Sequence, residues 1–169
     1  MTSLDYLKKE IKSIKDFPQP GVLFNDISVL LKKHWKETIA ALDLLVPEKP
    51  DYWAGIESRG YLFAGALALK NNAGIIRIRK YGKLPPPVHC LQCESEYRVE
   101  TLEIKDSEET PVKSIVIVDD VYATGGTMAT AEKLCAEADY NVIGKLVLID
   151  LLYLHKPNNS IQSVIQYKR

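Results

Sequence analysis

The chain has 169 residues with 46% apolar and 26% charged side chains, the usual size of one domain and enough to bury a single core. Its 22 Lys and Arg balance 22 Asp and Glu, so no basic excess points to a nucleic acid or a membrane surface. Cys90, Cys93 and Cys135 are an odd set that gives no disulfide framework, and no long apolar run or targeting segment is apparent, so a reducing cytoplasm is the expected location.

Leu4, Leu7, Ile11 and Ile14 recur at helical spacing and predict an amphipathic helix over residues 3–14. Residues 16–27, with Pro18, Pro20 and Gly21, break that pattern. Phe17, Leu23, Phe24 and Ile27 make this segment too apolar for a free linker, so it packs on something, either closing the core or covering a planar ligand. A helix over 35–46 ends at Pro47, and Asp51–Ile56 reads as a strand. Glu57-Ser58-Arg59-Gly60 follows, then a helix over 61–71 with Leu62, Ala66 and Leu69 inward, and a strand over 74–78. The repeated strand-loop-helix-strand order predicts parallel pairing with right-handed crossovers.

Arg77, Arg79, Lys80 and Lys83 form a basic cluster before Leu84-Pro85-Pro86-Pro87. Residues 84–99 read as a long polar loop containing Cys90 and Cys93 as loop thiols, with Glu94, Ser95, Glu96 and Tyr97 as its chemical groups. Thr101–Ile104 alternates like the returning strand of a hairpin. The most informative stretch is Ser114–Met128, SIVIVDDVYATGGTM. Ile115–Val118 reads as a strand buried on both faces, and a helix begins after the turn with Met128, Ala131, Leu134 and Cys135 on one face. Val142–Leu152 and Ile161–Tyr167 are the last predicted strands, the second at a sheet edge.

Ligands in open parallel sheets bind at the carboxyl ends of the strands. Gly125 and Gly126 permit close backbone approach to an anion, Thr124 and Thr127 add hydroxyls, and the helix start favours phosphate. Asp119 and Asp120 repel phosphate but suit sugar hydroxyls, a magnesium ion or a carbon that becomes cationic during reaction. Arg59 offers a fork for a second set of phosphate oxygens, as does the Arg79–Lys83 cluster. A P-loop is excluded, since no Lys adjoins Gly125-Gly126-Thr127.

With these pieces in place, the chain resembles the type I phosphoribosyltransferases and, within them, the adenine-specific branch. VDDVYATGGT at 118–127 is similar to the family's phosphoribosyl-pyrophosphate motif. DFPQPGVLFNDIS at 16–28, GIESRGYLF at 55–63 and RKYGKLP at 79–85 carry the adenine assignment, and ESEYRVETLEI at 94–104 is similar to the family's mobile loop and its return strand. The resemblance implies one α/β domain with three layers, a mostly parallel central sheet flanked by helices, an N-terminal hood over about 1–33 and a mobile loop over about 84–99. It also implies transfer of phosphoribosyl from phosphoribosyl pyrophosphate to adenine, giving AMP and pyrophosphate in purine salvage. Magnesium would arrive on the sugar pyrophosphate, with no direct protein ligand expected, and the enzyme would be a homodimer.

By the same resemblance, Ala123, Thr124, Gly125, Gly126 and Thr127 hold the 5′-phosphate and Asp119 and Asp120 the ribose hydroxyls. Ser58, Arg59, Arg79, Lys80 and Lys83 grip the pyrophosphate, and the Glu57–Ser58 peptide is cis. Glu96 is the general acid or base, delivered with Tyr97 when the loop closes, and Arg59 completes the catalytic set. Leu23, Phe24, Asn25 and Val121 enclose adenine, with backbone groups near Leu23 and Asn25 reading its edge. Three positions depart from the family pattern: Asn25 in place of Arg, and Pro86 and Arg98 in place of Gly. The alternatives are another purine (hypoxanthine, guanine or xanthine) as acceptor, or a non-enzymatic regulator that senses the sugar phosphate.

Overall fold

Runs of aliphatic and β-branched residues build the centre of the molecule, and short turns at their carboxyl ends build its working edge. The computed structural model describes residues 5–94, 99–108 and 110–168. A short helix α1 (Asp5–Lys9) and a hairpin of β1 (Lys12–Lys15) and β2 (Leu23–Asp26) come first, followed by helices α2 (Ser28–Lys33) and α3 (Trp35–Leu44). Then β3 (Tyr52–Ile56), α4 (Gly60–Asn71) and β4 (Gly74–Lys80) form one parallel crossover unit. An antiparallel pair, β5 (His89–Glu94) and β6 (Val99–Ile104), precedes β7 (Lys113–Tyr122), α5 (Gly126–Glu137), β8 (Tyr140–Leu151) and β9 (Ile161–Tyr167).

Seven strands form one sheet in the order β5-β6-β4-β3-β7-β8-β9. From β4 to β9 all neighbours are parallel, while β6 joins β4 antiparallel. β7 lies between β3 and β8, and Ile115 to Val118 are all fully buried. Alternation along β7 divides the core. Val116 and Val118 face α3 and α4 through Leu42, Phe63 and Leu67, whereas Ile115 and Ile117 face α5 through Met128, Ala131 and Leu134. The result is three layers, with the parallel strands ending together at Ile56, Lys80, Tyr122 and Leu151. Among the described residues no helix is long and apolar enough to cross a membrane.

Four expectations from the sequence require correction. The helix over 3–14 survives only as α1, because residues 12–15 pair with residues 23–26, Ile14 opposite Phe24. Leu7 and Ile11 are buried but Ile14 is not, so cross-strand pairing outcompetes a helical spacing that the chain cannot bury along its whole length. The broken segment 16–27 correspondingly contains a strand. The loop over 84–99 contains β5, so Cys90 and Cys93 are strand residues that pair with Glu103 and Glu100. Finally, α4 is rotated from its predicted face: Phe63, Ala64, Leu67 and Ala68 are buried, while Leu62 and Leu69 are exposed. An alanine-rich helix that is apolar nearly all round leaves its inward face ambiguous from spacing alone.

The orientation of α4 is checked by paired truncations. Phe63→Ala is expected to cost about 3–5 kcal/mol of unfolding free energy. Leu69→Ala, at a position 86% exposed, is expected to stay within about 0.5 kcal/mol of the parent in the same urea titration.

Candidate active site

Four connections leave the carboxyl ends of β3, β4, β7 and β8 on one edge of the sheet, and those after β3, β7 and β8 line one pocket there. The first is Glu57–Arg59, in which the Glu57–Ser58 peptide is cis. Gly60 opens α4 immediately afterwards, and a Cβ there would stand 2.6 Å from the Val118 carbonyl oxygen. Glycine therefore lets the helix start press against the end of β7. That contact carries Arg59 to Asp120.

Arg59 and Asp120 form an ion pair through Nη2 and Oδ2. Arg59 Nη1 also donates to the Asn25 carbonyl at 3.2 Å, and its guanidinium lies 4.9 Å from the centre of the Phe24 ring. One cation thus joins the hairpin, α4 and β7. Asp120 Oδ2 is buried against Arg59, and a carboxylate oxygen with one such partner retains acceptor capacity for a hydroxyl. Asp119 Oδ1 accepts the Asp120 N–H at 2.8 Å. Burial, and then the neighbouring Asp120 carboxylate, push Asp119 well above the usual aspartate range; that N–H and Arg59 offset only part of the effect.

Of the predicted basic cluster, Arg79, Lys80 and Lys83 are gathered here, each paired with a carboxylate, while Arg77 is exposed. Glu57 pairs with Arg79 at 3.4 Å and with Lys83, and accepts the Lys80 N–H at 3.0 Å. Burial works against ionising Glu57, but Lys83, the Lys80 N–H and Arg79 outweigh it and hold the carboxyl below its usual range. Lys80 Nζ meets Glu100 at 2.9 Å. Glu103, almost wholly buried, accepts the N–H groups of Gly82, Lys83 and Leu84 at 3.0, 2.7 and 2.6 Å and shapes the turn that carries the cluster. Leu102, Glu103 and Ile104 are all buried, which the alternation read from Thr101–Ile104 did not anticipate.

The Ala123–Thr127 turn runs from β7 into α5. Gly125 occupies φ +91°, a conformation that favours glycine, and no side chain caps the helix. The first N–H groups of α5 have no intrahelical partners, so they face the cleft edge as anion donors. Cys93 Sγ lies 3.7 Å from Thr127 Oγ1 and docks β5 against this turn.

Leu23, Phe24, Asn25 and Val121 are brought together around one pocket of about 270 Å3. Tyr153 and Leu154, which follow β8, complete it and had no distinguishing signal in the sequence. Asn25 is used differently from expectation. Its side-chain oxygen accepts the Ser13 hydroxyl at 2.9 Å inside the hairpin, and its carbonyl is taken by Arg59. Glu96 and Tyr97 lie outside the described residues, as do Ser95 and Arg98.

This combination of an anion turn, an acidic pair, a ring of cations and an apolar pocket on one sheet edge has close counterparts. A family model described as "Phosphoribosyl transferase domain" matches residues 28–164. A curated relative from Hydrogenovibrio crunogenus, named adenine phosphoribosyltransferase, is 41% identical over 168 residues, covering 95% of this chain and 96% of the relative. The chain belongs to the adenine phosphoribosyltransferase family.

Solved structures of this family agree in fold. The adenine phosphoribosyltransferase of Thermoanaerobacter pseudethanolicus superposes with a TM-score of 0.90 at 33% identity, covering 98% of this chain and 100% of that one. The Saccharomyces cerevisiae enzyme, solved with an imino-altritol bisphosphate and adenine, gives a TM-score of 0.86 at 30% identity over 95% of this chain and 97% of its own.

The raised Asp119 yields a prediction with a definite sign. Between the unfolded and folded pKa the native state holds the extra proton, so this residue's contribution to stability falls as pH rises above the ordinary aspartate range. Asp119→Asn is expected to raise the melting temperature at neutral pH, by about 2–4 °C for each kcal/mol relieved. The gain should shrink on acidification and should accompany a loss of turnover; an equal gain at all pH values would contradict the assignment.

Proposed function

We infer that the chain transfers the 5-phosphoribosyl group from phosphoribosyl pyrophosphate to adenine, releasing pyrophosphate and forming AMP. The observation that carries this reading is the sheet edge at which the Asp119–Asp120 pair and the Ala123–Thr127 turn adjoin the apolar hood pocket, itself lined by Arg59, Val121 and Ala123. A sugar phosphate spans the first two, and a planar base fits the third. The Saccharomyces cerevisiae relative was solved with adenine, which favours that base over other purines.

In the transfer, a ring nitrogen of adenine bonds to the anomeric carbon while the bond from that carbon to pyrophosphate breaks. Positive charge grows on the sugar and negative charge on the leaving group. Asp119 and Asp120 would hold the ribose hydroxyls and their negative field would favour the cation-like carbon. The α5 start would hold the 5′-phosphate. Ser58, Arg59, Arg79, Lys80 and Lys83 would receive the pyrophosphate. For that, the cations now held by Glu57, Glu100 and Asp120 must exchange or share partners with the ligand. Leu23, Phe24 and Val121 would cover the base, and Glu96 with Tyr97 would manage its proton and exclude water.

Magnesium suits this donor set. The buried Asp120 Oδ2, with acceptor capacity beyond its contact to Arg59, and the adjoining Asp119 are oxygen groups of the kind that a hydrated magnesium ion and sugar hydroxyls share. Bound to pyrophosphate, the ion would neutralise charge on the leaving group. A cytoplasmic homodimer completes the proposal, and light scattering at one or two chain masses decides the oligomeric part.

The purified chain, assayed with phosphoribosyl pyrophosphate and each of adenine, hypoxanthine, guanine and xanthine, is expected to turn over adenine. Guanine turnover without adenine turnover would overturn the reading. In the same assay Glu96→Gln is expected to reduce turnover far more than affinity for the sugar phosphate, and unchanged turnover removes Glu96 from the chemistry.

A further inference from the structure

Behind the phosphate turn lies a polar chain, buried at Tyr122, Asp150 and His155, that neither the catalytic scheme nor the motif accounts for. Tyr122, the last residue of β7, is 8% exposed. Its hydroxyl occupies the space into which a Cβ on Gly125 would project, closer than any side chain tolerates. The phenol therefore forms the wall against which the positive-φ residue of the turn rests. Asn158 Nδ2 donates to that hydroxyl at 3.2 Å, and Asn158 is itself held by Ser160 at 3.0 and 2.7 Å.

His155 backs the same ring edge-to-face, with centroids 4.6 Å apart at 83°. Its Nε2 meets Asp150 Oδ1 at 2.7 Å and its Nδ1 meets the Lys156 carbonyl at 2.7 Å. Both partners offer acceptor oxygens, an arrangement that a protonated imidazole, donating through both ring nitrogens, satisfies. Burial opposes that charge, but the Lys156 carbonyl and Asp150 outweigh it and raise the imidazole above its ordinary range. The His155 and Asp150 side chains are only 6% and 5% exposed. Asp150 stands opposite Tyr122 in the β7–β8 ladder, so the relay is anchored in the sheet: Asp150 orients His155, His155 backs Tyr122, and Tyr122 supports Gly125.

We propose that Asp150 and His155 are positioning residues that act through Tyr122 to hold the Ala123–Thr127 turn in its anion-binding shape. They set affinity for the 5′-phosphate of the sugar substrate while leaving recognition of the base to the hood. This inference rests on the proposed phosphoribosyl transfer. A loosened Tyr122 would let Gly125 leave its left-handed conformation, and the N–H groups of the turn would no longer converge on one phosphate. Tyr122, Asp150 and His155 do not themselves line the hood pocket, although their neighbours Val121, Ala123, Leu151, Tyr153 and Leu154 do, so recognition of the base would be disturbed less than recognition of the phosphate.

The test is calorimetric binding of ribose 5-phosphate to the full chain, with steady-state KM values for phosphoribosyl pyrophosphate and adenine. His155→Ala and Tyr122→Ala are expected to weaken ribose 5-phosphate and raise KM for phosphoribosyl pyrophosphate at least fivefold, with less than a twofold change in KM for adenine. Tyr122→Phe, which keeps the ring, is expected to recover most of the affinity lost in Tyr122→Ala. Asp150→Asn, isosteric and the least disruptive to folding, is expected to shift affinity in the same direction as His155→Ala. Unchanged ribose 5-phosphate affinity in His155→Ala and Asp150→Asn, or equal losses for both substrates, overturns the inference. A parent chain that binds no ribose 5-phosphate overturns instead the transferase reading on which it stands.

Discussion

The contact between Arg59 and Asp120 is the constraint on which the rest of the cleft depends. It requires β7 to run buried as far as its acidic pair and α4 to start hard against that strand, which Gly60 permits. It also requires the β1–β2 hairpin to offer its Asn25 carbonyl and its Phe24 ring to the same guanidinium. A planar cation with five donors can serve three segments at once, where an ammonium could not match the geometry. Losing it would leave a buried carboxylate unpaired and detach the hood from the sheet edge, so one side chain links substrate chemistry to tertiary architecture.

The same economy runs through the other charges. The cations expected to meet pyrophosphate are held by Glu57 and Glu100, and Glu103 fixes their turn through backbone N–H groups alone. Such an arrangement keeps a dense set of like charges from repelling one another in the absence of an anion. A polyanionic ligand then competes with the carboxylates rather than entering an open positive hole. The acids and the cations are therefore parts of one device, and charge density at this edge is tuned as much by glutamates as by arginines and lysines.

The glycines and small residues of the phosphate turn are likewise incomplete by themselves. Gly125 can adopt many conformations, and Tyr122, Asn158 and the His155–Asp150 pair narrow them to one. Flexibility in the motif permits close approach of a phosphate; rigidity behind it makes that approach repeatable.

Much of this was legible along the chain. The apolar run Ile115–Val118, the paired aspartates, the glycine turn and the apolar stripe of α5 describe a buried strand, a charged end and a helix start, all local properties with strong physical signatures. So were the β3-α4-β4 crossover and the unusual apolar content of the segment after Phe17. Global placement was not. Residues 12–15 have helical spacing yet pair as a strand, because their partner lies in residues 23–26 and pairing energy is invisible to periodicity. The inward face of α4 was misread because nearly every face is apolar, and only the curvature and fit of β3 and β7 choose Phe63 over Leu62. The roles of Glu57, Glu103 and His155 had no signal along the chain, since a polar residue's burial depends on which distant partner satisfies it. Composition and local pattern thus establish the elements and the kind of ligand, through short-range sterics and hydrophobicity. Folding decides which charges meet, which helix face turns inward and how the phosphate turn is braced, because those outcomes rest on contacts between residues far apart in the chain.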